Sequence, residues 1–223
     1  MESSLHRQLK DRYGPELGGR AEVRVAGFRA DAIDAEGCLI EVQAGPLGLL
    51  KGKLATLLEA HRIRVIKPVI LERRIVRRAR ADGPDRSSRR SPKRGDLLDV
   101  FDDLVGLARL FPHPRLAIEV VGVGIDEIRV DRRRGYRVVD RRLVEVISSA
   151  TLRTADDLWS LLPVGLDGPF TTLDCARRLG RPVAFAQRLA YCLRHSGAVE
   201  ERGFDRRRRV YERAAASPCR PSG

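Results

Sequence analysis

The sequence predicts an α/β protein followed by a small helical unit that ends in a basic hairpin. Three observations carry that expectation. Helical and strand-like spacings alternate through the first seventy residues or so, a helical run near residue 97 leads into several strand-like runs, and short capped helices take over after about residue 151. A chain of 223 residues has room for two compact units. They are drawn at 1–150 and 151–213, leaving 214–223 as a small, proline-containing tail expected to be disordered.

Met1–Tyr13 reads as a helix. The run Val23-Arg-Val-Ala-Gly-Phe28-Arg-Ala closes at Asp31, a turn-like Asp34-Ala-Glu-Gly37 follows, and Leu39-Ile-Glu-Val-Gln43 runs back as a partner strand. Side chains alternate along a strand, so Ile40 and Val42 share one face while Glu41 and Gln43 share the other. A carboxylate is rarely buried in a sheet unless it is paired. The residue across the hairpin, Asp31, is itself a carboxylate, and a bound Mg²⁺ would reconcile the two charges. The plainer alternative is that Asp31 or Asp34 starts a turn and Glu41 lies on a solvated face. Pro46–His61 then reads as a helix with the stripe Leu47, Leu50, Leu54, Leu57, Leu58 towards the sheet, and Arg62–Ile70 as the next strand.

The spacing D-x9-E-x-Q at Asp31, Glu41 and Gln43, set in this order of helix, hairpin, helix and strand, resembles the αβββαβ core of the PD-(D/E)XK nuclease superfamily. The resemblance implies a restriction-endonuclease-like α/β fold with a mixed sheet. It also implies DNA phosphodiester cleavage with Mg²⁺ or Mn²⁺, in which Asp31 and Glu41 bind the metal. Gln43 stands where the family usually carries a catalytic lysine. Its amide can orient water but has no usable basicity near neutral pH. Some members place the lysine on the following helix, where this chain has Lys51 and Lys53 on opposite flanks of the leucine stripe. The sequence does not say which of them reaches the site. Glu2 matches an accessory acidic position of the family.

Beyond Ile70 the chain reads as a strand-like Arg74–Arg77 and then a basic loop over 79–95. Within it Arg86-Ser-Ser-Arg-Arg-Ser-Pro-Lys-Arg94 is either a solvated insertion or an arm that lies along a phosphate backbone, with Arg89, Arg90, Lys93 and Arg94 as contacts. Asp96 caps a helix expected over Leu97–Leu110, ended by Pro112 and Pro114. Leu116–Val123, Glu127–Val130 and Tyr136–Val139 read as further strands.

In the last third, Thr154–Leu162, the capped Thr171–Gly180 and Pro182–Ser196 read as helices, and Ala198–Arg202 and Val210–Arg213 as short strands around Gly203–Arg209. Helix, tight turn, helix and basic hairpin together resemble a winged helix-turn-helix domain. That resemblance makes Pro182–Ser196 the recognition helix, offering Gln187, Arg188, Tyr191 and Arg194, and makes Arg206, Arg207, Arg208 and Arg209 the wing. Winged helices also serve as protein-interaction modules.

Net charge is +13, and 38 of the 43 basic residues are arginine, which favours bidentate contacts to phosphate. DNA is therefore the expected partner, ahead of a membrane surface. No apolar run approaches the length of a membrane span, and no signal-peptide-like start is seen, so the expected location is cytoplasmic. Cys38, Cys175, Cys192 and Cys219 show no metal-ligand spacing and read as reduced packing residues. His6, His61, His113 and His195 form no constellation in sequence. No organic cofactor is implied, and a symmetric dimer, common among DNA-binding proteins, has no visible seam. The expected function is a Mg²⁺-dependent DNA endonuclease; the runner-up is a non-catalytic DNA-binding regulator that keeps the fold as a scaffold.

Overall fold

The computed structural model describes residues 3–163, 166 and 168–215. Glu2, Cys219 and the tail from 216 onward lie outside the described residues.

Helix α1 (Ser4–Tyr13) starts where the Ser3 hydroxyl accepts the His6 N–H at 3.3 Å, and it buries Leu5, Leu9 and Tyr13. Strands β1 (Arg20–Val25) and β2 (Phe28–Ile33) follow as an antiparallel hairpin. Ala26 and Gly27 both take positive φ at its turn, the geometry whose twist matches the flanking strands. Next come β3 (Leu39–Val42), a 3₁₀ turn at Leu47–Leu50, α2 (Lys51–Leu57) and β4 (Ile63–Arg78). Then β5 (Asp85–Arg90), α3 (Val100–Leu104) between two 3₁₀ turns, β6 (Leu116–Asp131) and β7 (Tyr136–Leu152) complete the first unit.

These strands form one mixed sheet in the order β1-β2-β3-β4-β6-β7, with β5 added to the distal half of β4. β3, β4 and β6 run parallel and the outer pairs antiparallel. Both faces of the centre are covered, so all four residues of β3 are buried. On one face α1 packs Leu5 and Leu9 with Ile40, Val42, Ile66 and Val121. On the other, Leu54, Leu57, Phe101 and Leu104 pack with Leu39, Val65 and Ile118. There the turns beside α2 and α3 cross at Gly48 and Gly106, where a Cβ on Gly106 would stand 2.5 Å from the Gly48 Cα.

The last third contains α4 (Ala155–Ser160), β8 (Phe170–Thr171), α5 (Thr172–Leu179), α6 (Val183–His195), β9 (Val199–Asp205) and β10 (Arg208–Arg213). A small antiparallel sheet has the order β8-β10-β9. Thr154 and Thr171 form capping boxes with Asp157 and Asp174, and Gly180 ends α5 in the left-handed conformation. Phe170 lies between Trp159, which meets it edge-on, and Tyr211, which is tilted against it, as the aromatic centre of this part. The core continues from the first unit into this one, with α6 lying on α3. Cys175 and Cys192 are buried there, and burial pushes their thiols up to about 11 and about 12, as packing residues require.

Several expected elements differ. The stretch 79–95 is not a plain loop: Asp85–Arg90 pairs with β4, because backbone hydrogen bonds suffice for a strand whose side chains are all exposed and show no apolar alternation. Leu97–Leu110 is broken into short helical pieces around Gly106, where the close crossing tightens the turn. Strands expected as separate runs merge into β4 and β6, whose register shifts near Ile70/Glu72 and near Gly122 and Gly124 interrupt the apolar pattern without ending the strand. Tyr136–Val139 is only the start of the 17-residue β7. Ala214, placed in the tail, donates its N–H to the Ala198 carbonyl. No described helix is long and apolar enough to cross a membrane.

Candidate functional site

The antiparallel ladder between β2 and β3 pairs Ile33 with Leu39 and Ala32 with Ile40, and then stops. Continued by one step, the same register sets Asp31 opposite Glu41. There side chains replace the ladder. The Val42 N–H donates to Asp31 Oδ2 at 2.9 Å. On the other edge the β1–β2 register steps from Ala21–Ala32 to Val23–Ala30 and skips Glu22 and Asp31, with Glu22 at φ 58°. Asp31 therefore sits at a gap in both ladders, with Ala30 packed on one face of the sheet and Ala32 on the other.

Three elements bring cations to these carboxylates. From α2, Lys53 Nζ contacts Glu41 Oε1 and donates to the Arg29 carbonyl, whereas Lys51 points to solvent. From α1, His6 Nε2 stands 3.5 Å and Lys10 Nζ 3.6 Å from Asp31 Oδ1, and Lys10 also reaches Glu22 at 3.3 Å. From β2, Arg29 pairs with Glu22. Burial alone would raise the Asp31 carboxyl, but His6, the Val42 N–H and Lys10 outweigh it and hold the group below the usual range. Glu41 goes the other way. Burial pushes it up, Lys53 only partly offsets that, and the Asp31 charge adds to the rise.

The cleft beside Asp31 has a volume of about 480 Å³ and is lined by Ser3, His6, Lys10, Glu22, Arg29, Gln43, Ala44 and Gly45. Gln43 donates from Nε2 to the Pro46 carbonyl at 3.0 Å, bracing the loop after β3. The same loop is held from below by buried Lys67, which donates to the Gly45 carbonyl at 2.8 Å and pairs with Asp103 at 2.7 Å. Among the described residues no three His, Cys, Asp or Glu side chains gather as a ready-made metal cluster. Asp31 and Glu41, neighbours at the open ladder end, are the two carboxylates available to a hard cation there. Mg²⁺ typically takes one or two protein carboxylates and completes its shell with water and phosphate oxygens.

A second polar surface lies on the C-terminal unit. Thr172, Leu173, Val183, Gln187, Arg207, Arg208, Arg209 and Tyr211 line a groove of about 390 Å³ between α6 and the β9–β10 hairpin. Arg206 and Arg207 form the two-residue turn, both with positive φ (44° and 71°), which costs non-glycine residues of order 1 kcal/mol each. Of the four helix residues singled out in sequence, only Gln187 lines this groove. Arg188 pairs with Asp102 of α3 at 2.7 Å, Arg194 pairs with Glu201 at 2.9 Å, and Tyr191 packs on His195. Arg209 also pairs with Glu201, at 2.7 Å, while Arg206, Arg207 and Arg208 make no ion pair with the described residues. Arg89, Arg90 and Lys93 are exposed on and after β5, and Arg94 pairs with Glu72 at 2.6 Å.

Sequence reasoning passed over His6, Lys10 and Glu22 in the cleft and Phe204 beside the wing-like turn, a phenylalanine that is 70% exposed. One signal was available: His6 and Lys10 are four apart on α1 and adjoin its apolar stripe. No signal marked Glu22.

Residues 3–153 match the protein family described as "Domain of unknown function (DUF8091)". An uncharacterized protein of Treponema pallidum (strain Nichols) is 37% identical over 172 residues, covering 73% of this chain and 68% of the relative. No solved structure matches the chain. With the whole first unit inside the match, the chain belongs to the DUF8091 family.

Proposed function

We propose that this protein binds DNA and cleaves its phosphodiester bonds with Mg²⁺, on a PD-(D/E)XK-type core joined to a winged helix. The observation that carries the reading is that Asp31 and Glu41 stand at the open end of the β2–β3 ladder, Asp31 holding the Val42 N–H and Glu41 meeting Lys53. Support for the core comes from the order α1, β1, β2, β3, α2, β4, with an antiparallel hairpin feeding a parallel β3–β4 pair. Support for the winged helix comes from the order α4, β8, α5, α6, β9, β10 and the three-stranded sheet against α5 and α6.

In this reading Asp31 and Glu41 hold the cation, which when bound supplies an activated water and offsets charge on the phosphate. Lys53 takes the place of the strand lysine that Gln43 has replaced, a cation reaching the same carboxylate from the following helix. It would steady the negative charge that builds on the phosphate oxygens. Asp31, kept ionised by His6 and Lys10, is ready to bind the cation at neutral pH. Gln43 would orient the attacking water from the edge of the cleft.

The test is nicking of supercoiled and linear duplex DNA by the full chain with Mg²⁺ or Mn²⁺. Asp31→Ala, Glu41→Ala and Lys53→Ala should each abolish cutting and leave binding largely intact. Binding without cutting on any substrate, single-stranded or branched DNA included, would replace the nuclease by the DNA-binding regulator that uses the same fold as a scaffold.

A further inference from the structure

Past Ile66, where its pairing with β3 ends at Val42, β4 runs on for twelve residues to Arg78. At about 3.3 Å per residue this is roughly 40 Å of strand. β5, β6 and β7 travel with it, so a four-stranded blade in the order β5-β4-β6-β7 continues the sheet beyond β3, partly covered by α1, where Ser4 bonds to Asp140 and Gln8 accepts the Leu143 N–H.

The blade holds most of the protein's charge. Residues 72–94 contain ten basic and three acidic side chains, and 126–142 contain seven and four, a net +10 against +13 for the whole chain. The 154–215 stretch, with the wing-like turn, has eleven basic and eight acidic residues and nets only +3. Sixteen of the blade's seventeen basic residues are arginine.

Part of this charge is neutralised inside the blade. Buried Glu127 gathers Arg73, Arg129 and Arg141, and Arg74 forks onto Asp126. Arg77, Arg78, Arg94 and Arg142 pair with Asp131, Asp85, Glu72 and Asp140. Arg86, Arg89 and Arg90 on β5, and Arg132, Arg133 and Arg134 at the β6–β7 turn, are all exposed and make no ion pair with the described residues. Charge on an edge strand also discourages edge-to-edge pairing, which would account for β5. It would not account for three consecutive arginines at a turn.

We infer that the blade is a nucleic-acid docking arm that supplies most of the affinity for duplex DNA and leads the backbone to the Asp31–Glu41 cleft. The inference rests on the nucleic-acid part of the function proposed above, not on catalysis or on the winged helix. Arginine suits it because each guanidinium can take a phosphate bidentately. An anionic bilayer is the poorer partner. The aromatic ring nearest the tip, Tyr136, carries the Arg129 guanidinium over its face at 3.8 Å, so even the ring offered there is fronted by a cation.

The experiment measures fluorescence anisotropy of a labelled 25-base-pair duplex with the full chain across a salt series. Three triple variants are compared: Arg86/Arg89/Arg90→Gln, Arg132/Arg133/Arg134→Gln, and Arg206/Arg207/Arg208→Gln. Each blade variant should lose about tenfold or more in affinity and flatten the log–log salt slope by about 2 to 3, as expected for three lost phosphate contacts. The wing variant should lose less than either. Lysine at Arg86, Arg89 and Arg90 should restore most of the affinity, which separates lost charge from damaged fold. If the native chain binds DNA and both blade variants bind it equally well with unchanged slopes, the arm is overturned while DNA binding stands. If the native chain binds phosphatidylserine vesicles but no DNA, both fall and the blade is a membrane surface.

Discussion

The carboxylate cleft and the β9–β10 turn treat charge in opposite ways. At and beside the cleft Glu22, Asp31 and Glu41 meet Lys10, Arg29 and Lys53, and each acid has a cation beside it. At the turn Arg206, Arg207 and Arg208 stand in solvent without a carboxylate, two of them in a strained left-handed backbone. A matched, half-buried set of charges keeps its geometry when nothing is bound, as a reacting centre requires. An unmatched exposed set gains energy only when a polyanion arrives. The difference separates chemistry from affinity, and the following predictions are arranged to break or sharpen it.

The largest effect should come from the matched set. Lys53→Gln should lower cleavage by on the order of 10²-fold or more, within the range for losing one charge-stabilising group, while Lys51→Gln leaves it unchanged. Equal losses at both lysines would dissolve the distinction between a lysine at Glu41 and one in solvent. Gln43→Lys, which restores the residue usual in the resembling superfamily, should speed a nuclease limited by that position; an inert double variant with Lys53→Gln would show that a lysine on the strand cannot take over from the one on α2.

A middle effect should come from the unmatched set. Alanine at Arg206, Arg207 and Arg208 should weaken DNA binding on all sequences and flatten the salt slope, by less than either blade variant does. Gln187→Ala should instead shift sequence preference, since Gln187 shares the groove with the turn. Arg188→Ala should act mainly on stability through Asp102. A pure change of sequence preference at Arg188 would place that side chain on DNA after all.

The smaller effects concern stability. Asp31 has a lowered carboxyl pKa, so its contribution is complete above the ordinary carboxylate range and is lost as pH falls through the lowered value. Glu41 has a raised one, so its favourable term is present at low pH and is lost as pH rises through the raised value. At neutral pH, Asp31→Asn should therefore lower the melting temperature more than Glu41→Gln does, with the gap closing in acid. Calorimetry at pH 7 and pH 4 reads this directly, and a larger cost for Glu41→Gln at pH 7 would contradict the assigned directions. Replacing Arg206-Arg207 by Asn-Gly should stabilise the hairpin by about 1 kcal/mol, because those residues tolerate the turn, and should weaken DNA binding at the same time. Unchanged binding would leave the strained arginines without a role.

The sequence by itself determined the local features, which depend on neighbours along the chain. The capping boxes at Thr154 and Thr171, the glycine stop at Gly180 and the inward leucines of α2 follow from spacing and side-chain chemistry. Tertiary structure decided what depends on reach. Lys51 and Lys53 are equivalent in pattern, and only the seating of α2 on the sheet brings Lys53 to Glu41. His6 and Lys10 meet Asp31 because α1 packs across β3, some twenty residues away in sequence. The charged stretch 85–90 became a strand because β4 had an edge to offer, and the same pairing gathered arginines from two distant segments into one blade. Periodicity tells which face a side chain occupies; how far it reaches and which residues it meets there depend on contacts between segments that local spacing does not encode.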